Sequence, residues 1–199
     1  FALAPMGPLG LGDSEGGWNQ RGIDYYVRRA QGGAGLIITG VTFSDCKVET
    51  QSMPNVPNST YNPVQFVRTS REMTERVHAY GAKMFLMMSG GFGRVTIPTN
   101  LGEFPPVAPS AIPHRWLDKT CRPLEVEEIH SIVESFGKGA YNAKRAGFDG
   151  IEIHAVHEGY LIDQFAISFF NLRNDEYGGS LENRLRFAKE IREEIAKTC

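Results

Sequence analysis

The sequence predicts an α/β fold, a (β/α)8 barrel of which this chain supplies about the first four βα units. Four short apolar segments have the length of buried parallel strands, and an amphipathic helical segment follows each of them. Glycine-bearing turns precede three of the four strands, as is common where a helix ends. Alternation of this kind is typical of a parallel sheet covered by helices.

The strand candidates are short and mostly apolar, as expected for strands covered on both faces. They span residues 1–6, 35–39, 84–88 and 150–154. The helix candidates span residues 19–30, 63–80, 125–146 and 181–197. The third helix has the clearest apolar stripe, and Ser180 is the expected N-cap of the fourth.

A closed barrel and an open doubly wound sheet both fit this alternation. The open sheet favours a G-x-G-x-x-G turn after its first strand, but residues 7–12 have the wrong spacing and no helix follows at once. We therefore favour the barrel, which typically needs about 250 residues. Four strands alone would leave two unpaired edges, so we expect residues 1–199 to be the N-terminal half of a barrel, truncated at both ends.

Composition and charge exclude several classes of function. The net charge is −2 with no basic stripe, so neither nucleic acid nor a membrane surface is an expected partner. No apolar run approaches the roughly 20 residues of a membrane span. Cys46, Cys121 and Cys199 are far apart and odd in number, which argues against a disulfide framework and favours a cytoplasmic location.

The richest strand end is the fourth, because active sites of such barrels lie where the strands run into the following loops. Glu152 and His154 share one face of that strand, and His157 and Tyr160 follow closely. Two imidazoles and a phenol can together hydrogen-bond an oxyanion and donate a proton. Two other interpretations stay open: His154 as a core histidine, and a metal site of Glu152, His154 and His157. We predict no metal, because the spacing is not that of H-E-x-x-H.

Residues 171–187, NLRNDEYGGSLENRLRF, resemble the Old Yellow Enzyme signature N-x-R-x-D-x-Y-G-G-S-x-E-N-R-x-R-F. Residues 147–154 and 159–165, the run Ala4-Pro5-Met6 and the pair Gly93-Arg94 are also similar to that family. The resemblance covers essentially the whole chain. Within the family it is closest to the branch of 2,4-dienoyl-CoA reductases and bile-acid enone reductases, because of the run from His154 to Tyr160.

The resemblance implies an FMN-dependent enzyme that reduces the C=C bond of α,β-unsaturated carbonyl compounds with NAD(P)H. Tyr160 matches the tyrosine that protonates the substrate, and His154 and His157 resemble the pair that binds its carbonyl. The positions that match residues lining the flavin are Pro5, Met6, Gly7 and Gly40. The signature itself is expected to order a loop and cap the fourth helix. The implied partner is a small enone or enoyl thioester, and a homo-oligomer is compatible with the sequence.

The chain departs from the family pattern in three ways. Relatives usually carry F-x-Q-L on strand three, whereas Met87 stands here at the position of the glutamine that binds the flavin. The first histidine precedes the tyrosine by six residues rather than five, so an inserted residue is expected near His157 or Glu158. The second half of the barrel, which carries the flavin phosphate site, is absent, as is the cysteine cluster of an iron–sulfur centre expected in the missing C-terminal part.

Other functions remain compatible with the sequence alone. The chain could be a non-catalytic half-barrel that binds no flavin, a metal-dependent lyase on the same barrel or an amine dehydrogenase of this superfamily. The substrate, the choice between NADH and NADPH, and the oligomeric state are not encoded in any pattern that we recognise.

Overall fold

A computed structural model of the protein describes residues 1–7, 9–44, 47–48, 55–101, 104–157 and 159–198, of which 99 and 100 are described by their backbone alone. Strands β1 to β7 span Ala2–Leu3, Leu36–Ile38, Thr42–Phe43, Lys83–Ser89, Val107–Ala108, Arg122–Pro123 and Gly150–Ile153. Helices α1 to α7 span Gln20–Gln31, Pro63–His78, Pro98–Leu101, Val126–Arg145, Leu161–Ala166, Leu181–Arg184 and Arg186–Ala196.

The main sheet is parallel, as the alternation of strands and helices predicts. Its strands follow the order β1-β2-β4-β7, and each pairs in parallel with its neighbour. Phe85 pairs with Gly150 and Met87 with Glu152, and a Cβ on Gly150 would meet the Phe85 ring. These residues therefore lie on the face of the sheet opposite the helices, which in a barrel is the interior.

The second strand is interrupted by a β-bulge. Ile38 pairs with Phe85 and Thr42 pairs with Met88, so three residues of one strand face two of the other. The hydroxyl of Thr39 accepts a hydrogen bond from the Met87 N–H at 3.0 Å. Beyond the bulge, β3 continues the pairing along the carboxyl end of β4, which is a common arrangement beside active sites.

The core lies between the sheet and helices α1, α2, α4 and α7. Met84, Leu86 and Met88 alternate along β4 and are fully buried. Asn19 and Asn62 cap α1 and α2, and a capping box of Glu125 and Glu128 begins α4. The turns that precede three of the strands each hold a glycine at positive φ, as predicted; these are Gly33, Gly81 and Gly147.

Two expectations about the elements need correction, and several short elements were not predicted. The first strand ends at Leu3 rather than residue 6, and Pro5 has no N–H to continue the ladder. The fourth helix is divided at Leu185, and Arg184 and Arg186 on either side donate to the carbonyls of Ala166, at the end of α5, and Glu176, in the following loop. The short elements β3, β5, β6, α3 and α5 could not be predicted, because segments of two to six residues have no readable periodicity.

A long excursion, residues 90–125, separates β4 from α4 and contains α3, β5 and β6. Cys121 is buried in a small cluster with Ala108 and Ile112 in this excursion. Cys46 and Cys199 lie outside the described residues. In the part of the chain that is described, no helix combines the length and apolarity needed to cross a membrane.

Candidate functional site

The loop after β7 carries the predicted catalytic side chains. The His154 N–H donates to the carbonyl of Met88 at 2.9 Å, so the pairing with β4 continues for one residue beyond β7. Tyr160 is the N-cap of α5, and its N–H donates to the carbonyl of His157 at 3.0 Å. The Leu161 N–H donates to Gly91 O at 3.3 Å, which ties the start of α5 to the loop after β4. Glu158 lies outside the described residues.

His154, His157 and Tyr160 converge. His154 Nε2 lies 3.1 Å from His157 Nδ1, so one of these nitrogens carries the proton and the other accepts it. The rings of His157 and Tyr160 are stacked, with centroids 4.7 Å apart and planes 4° apart. The His154 ring meets that of Tyr160 edge-on at 5.2 Å. Phe92 packs against the Tyr160 ring from the loop after β4, with centroids 4.5 Å apart.

Two buried polar residues on α5 hold this loop in place. The Asp163 carboxylate accepts hydrogen bonds from the N–H groups of His157 and Gly159, at 2.9 and 3.1 Å. Gln164 is fully buried, and its amide nitrogen donates to the carbonyls of Phe92 and Gly159. Its oxygen accepts from the Arg94 N–H at 3.2 Å. Asp163 and Gln164 therefore fix the loop that carries His157 to the loop after β4.

The electrostatics favour a neutral imidazole at His154. Burial lowers the pKa of His154 below its usual value, and the neighbouring His157 lowers it further, while the Asp163 charge opposes both. Glu152 lies two residues before His154 on the same strand, and burial raises its pKa. A neutral imidazole offers one N–H donor and one acceptor, so His154 can donate a hydrogen bond to an oxygen atom of a ligand.

These side chains open into one cavity of about 710 Å³ at the carboxyl ends of the barrel strands. Most of the predicted site residues line it, namely Pro5, Gly7, Met87, His154, His157 and Tyr160. Leu9, Val41, Phe92, Val95, Ile97, Trp116, Glu152 and Val156 complete the lining. The cavity is therefore mostly apolar, with its titratable groups on the strand and loop of β7.

Comparison with known proteins identifies the family. Residues 1–199 match the family described as the NADH:flavin oxidoreductase / NADH oxidase family. The chain belongs to this family. The resemblance inferred from the signature is thereby confirmed.

Individual relatives agree with this family assignment. A cinnamate reductase from Clostridium sporogenes is 60% identical over 200 residues, which are 100% of this chain and 30% of the relative. An NADH oxidase from Thermoanaerobacter brockii is 41% identical, over 96% of this chain and 28% of the relative. The crystal structure of an Old Yellow Enzyme homologue from Zymomonas mobilis matches with a TM-score of 0.82 at 33% identity, over 99% of this chain and 55% of that one.

The chain thus spans between about a third and just over a half of these relatives. Old Yellow Enzymes are (β/α)8 barrels, so the predicted fold class is confirmed as the first part of such a barrel. The parallel order β1-β2-β4-β7 is the stretch of barrel wall that this part contributes.

Met6 and Gly40, which we predicted to line the flavin, do not line the large cavity. Gly40 lines a smaller neighbouring cavity together with Gly7, and its N–H donates to the Tyr26 hydroxyl at 2.8 Å. A Cβ on Gly40 would lie 2.1 Å from Met6 O, so only glycine allows this approach of the two chain segments. The Met6 side chain is exposed. A contact between the flavin and the Met6 backbone stays a prediction.

Met87 faces the cavity from β4 and is only 4% exposed. It presents a thioether where the family pattern that we inferred expects an amide. Its register partner on β7 is Glu152, so a carboxyl-bearing residue lies beside it on that strand. No three His, Cys, Asp or Glu side chains among the described residues come together to hold a metal ion.

The signature segment has the structural role that we expected. Asn171 donates to the carbonyls of Phe165 and Tyr177, both at 2.7 Å, and Ser180 caps α6 by accepting from the Asn183 N–H. Arg173 forms an ion pair with Asp175 and also bonds the carbonyls of Pro109 and Leu124. The signature thereby ties the loop before α6 to the residues that directly follow β5 and β6.

The sequence analysis missed several residues of the site. Asp163 and Gln164 are polar residues inside the apolar run LIDQF, which is a readable sign of a buried polar role. Trp116 and its neighbour His114 lie in an excursion without periodicity, so nothing in the sequence connected them to the β7 loop. Phe92 had only its position between glycines to mark it.

Proposed function

We propose that the protein containing this chain is an FMN-dependent oxidoreductase that reduces the C=C bond of α,β-unsaturated carbonyl compounds with NAD(P)H. The observation that carries the proposal is the convergence of His154, His157 and Tyr160 in one cavity at the carboxyl ends of the strands. The names of the relatives, which include a cinnamate reductase and an NADH oxidase, support the same chemistry.

The described residues fit a flavin. The cavity is large enough for a flat ring system and mostly apolar, as cofactor pockets usually are. A Cβ on Gly7 would meet nothing within 4 Å, so the chain after β1 leaves open space on the cavity side. Pro5, Gly7 and Met87 would contact the ring, with the Met6 and Gly40 backbones at its edge. The chemistry that bound FMN supplies is hydride transfer to the β carbon of the substrate after reduction by NAD(P)H.

His154 and His157 would bind the carbonyl oxygen of the substrate. The two nitrogens that face each other at 3.1 Å share one proton, so they cannot both donate at the same time. When a substrate carbonyl oxygen accepts hydrogen bonds from both rings, the contact between the two nitrogens is replaced. Both of these nitrogens must then carry a proton, so the imidazole that was the acceptor takes its other tautomer. Two donors on one oxygen stabilise the negative charge that develops there as the double bond is reduced.

Tyr160 would donate the proton to the α carbon. Its ring is held between the stacked His157 and the edge of Phe92, so the position of its hydroxyl is defined before substrate binds. Hydride at the β carbon and the Tyr160 proton at the α carbon together balance the reduction, and solvent returns the proton to Tyr160. General-acid catalysis of this kind typically contributes about 10²–10⁴-fold to the rate.

The proposal is tested with full-length protein and FMN. We expect a yellow complex that NAD(P)H bleaches and that an enone or an α,β-unsaturated acid reoxidises with saturation kinetics. A complex that NAD(P)H bleaches but that no conjugated carbonyl compound reoxidises would contradict the proposed substrate class. The cytoplasm remains our proposed location, and neither an oligomeric state nor an iron–sulfur centre elsewhere in the protein is needed for this test.

A further inference from the structure

The excursion between β4 and α4 forms a rigid hairpin beside the cavity. Pro113 and Thr120 form an antiparallel bridge, and the Cys121 N–H donates to Ile112 O at 2.8 Å. The His114 N–H donates to Lys119 O at 2.9 Å, which closes the tip of the hairpin. Arg94 holds the hairpin from outside, because its Nε donates to Pro113 O and its carbonyl accepts from the Arg115 N–H.

The buried His114 determines the conformation of the hairpin tip. His114 is 5% exposed, and its Nδ1 accepts from the N–H groups of Trp116 and Leu117, at 3.2 and 3.0 Å. Since Nδ1 accepts, the proton lies on Nε2, which donates to Thr96 O at 2.9 Å. Burial and the nearby Arg94 charge lower the pKa of His114, which is consistent with this neutral form. Both ring nitrogens are therefore used to hold the tip.

Trp116 is the side chain that this tip presents to the cavity. It lines the cavity together with Ile97 and Val95 but is 52% exposed, which is unusual for an indole on an ordered turn. The Arg115 guanidinium lies 5.3 Å from its ring centroid and the His114 ring meets it edge-on at 5.9 Å, so the indole is supported on the side of its own hairpin. Its exposed surface remains for a ligand.

The cavity therefore has two chemically different parts. The β7 loop contributes the polar groups of His154, His157 and Tyr160, and the hairpin and its neighbours contribute an apolar wall with one large aromatic ring. A ligand that fills both parts has an oxygen function at one end and a planar apolar group at the other. Aromatic contacts add about 0.5–1.5 kcal/mol beyond the area that they bury.

We propose that Trp116 is a specificity-determining residue that selects substrates with an aryl group on the reacting double bond, and that His114 is the positioning residue that holds it. This inference rests on the proposed function, since it names the substrate class of the same site. The substrate class is an arylacrylate or aryl enone rather than an alkyl one.

The test compares cinnamate with crotonate in full-length holoenzyme, because these acids differ in a phenyl or a methyl group. For Trp116→Ala we expect kcat/KM to fall about tenfold or more for cinnamate and by less than about threefold for crotonate, with Trp116→Phe between the two. Asp118→Ala is the matched control, since Asp118 is exposed in the same turn and does not line the cavity. Equal losses for both acids in Trp116→Ala would overturn the inference.

A binding measurement separates this inference from the proposed function. The dissociation constants of 3-phenylpropanoate and butanoate, read from the change that each causes in flavin absorbance, need no turnover. Trp116→Ala should weaken 3-phenylpropanoate by about tenfold and leave butanoate nearly unchanged. A wild-type enzyme that reduces no conjugated carbonyl compound would contradict the proposed function, whereas unchanged 3-phenylpropanoate binding in Trp116→Ala would contradict the role of Trp116.

The role of His114 is tested by two variants. His114→Ala removes the acceptor for the two tip N–H groups, and His114→Asn restores an acceptor near the position of Nδ1. We expect the ratio of kcat/KM for cinnamate to that for crotonate to fall in the alanine variant and to recover in part in the asparagine variant. A ratio unchanged in both variants would show that His114 does not position Trp116.

Discussion

The rings of His157 and Tyr160 lie parallel, with centroids 4.7 Å apart, although two residues separate them in the chain. Asp163 makes this possible by binding the N–H groups of His157 and Gly159 on either side of the bend. The family pattern that we inferred has one residue fewer in this loop. His154 and His157 nevertheless both contact the Tyr160 ring.

Asp163→Ala should destabilise the protein and disturb the site together. Hydrogen bonds to a charged group contribute about 1.5–3 kcal/mol, and two N–H groups lose their acceptor, so we expect a loss of about 2–3 kcal/mol in the free energy of unfolding. Asp163→Asn keeps an acceptor and should lose less. Urea unfolding of full-length protein measures both, with Asp118→Asn as the exposed control. A loss below about 0.5 kcal/mol in the alanine variant would show that the bend holds without Asp163.

Gly40→Ala tests the close approach of the first two strand ends. A Cβ there would lie 2.1 Å from the Met6 carbonyl oxygen, and the backbone must move to admit it. Overpacking of this kind costs about 1–3 kcal/mol, and the displaced backbone should also weaken FMN binding. Gly7→Ala is the matched control for stability, because a Cβ on Gly7 meets nothing within 4 Å. Equal unfolding midpoints for the two variants would contradict the close approach.

The pH dependence of stability should reveal the environment of His154. Its pKa is lowered in the folded state, so its contribution is present above the unfolded value of 6.5 and is lost as the pH falls towards the folded pKa. The unfolding midpoint of wild type should therefore fall more steeply between neutral and mildly acidic pH than that of His154→Gln. His114 contributes with the same sign in both proteins and cancels in the comparison. Parallel pH profiles would show that His154 titrates normally.

Glu152 should have the opposite effect. Burial raises its pKa above 4.5, so its contribution to stability is present below that value and is lost as the pH rises through the folded pKa. Glu152→Gln removes this loss, and the variant should gain stability relative to wild type as the pH rises from acid to neutral. Thermal unfolding of both proteins across this range measures the difference. A difference that is constant with pH would mean that Glu152 has the same pKa in the folded and unfolded states.

Much of the fold could be predicted from the sequence, because long periodic segments such as 125–146 carry their helical signal locally. The break at Leu185 could not, since the hydrogen bonds that Arg184 and Arg186 make there go to carbonyls 18 and 10 residues earlier in the chain. The bulge at Thr39 to Val41 also escaped notice, because it exists only relative to the register of β4.

The candidate site could likewise be predicted only in part. His154, His157 and Tyr160 are close in sequence and follow one strand, so their convergence was predictable from the strand period and the family resemblance. Trp116 reaches the same cavity from a hairpin about forty residues away that has no periodic pattern. The positioning roles of Asp163 and Gln164 required the backbone of the loop, whose N–H and C=O groups they bind.

Tyr160→Phe in full-length holoenzyme tests the central claim most directly, with the two half-reactions followed separately by stopped-flow absorbance. The account predicts that NAD(P)H reduces the flavin at the wild-type rate, while reoxidation by an unsaturated acid slows by about 10²–10⁴-fold because the proton donor is lost. Stacking on His157 is retained in this variant, since phenylalanine keeps the ring. Equal slowing of both half-reactions, or reoxidation at the wild-type rate, would contradict the role of Tyr160 as the proton donor.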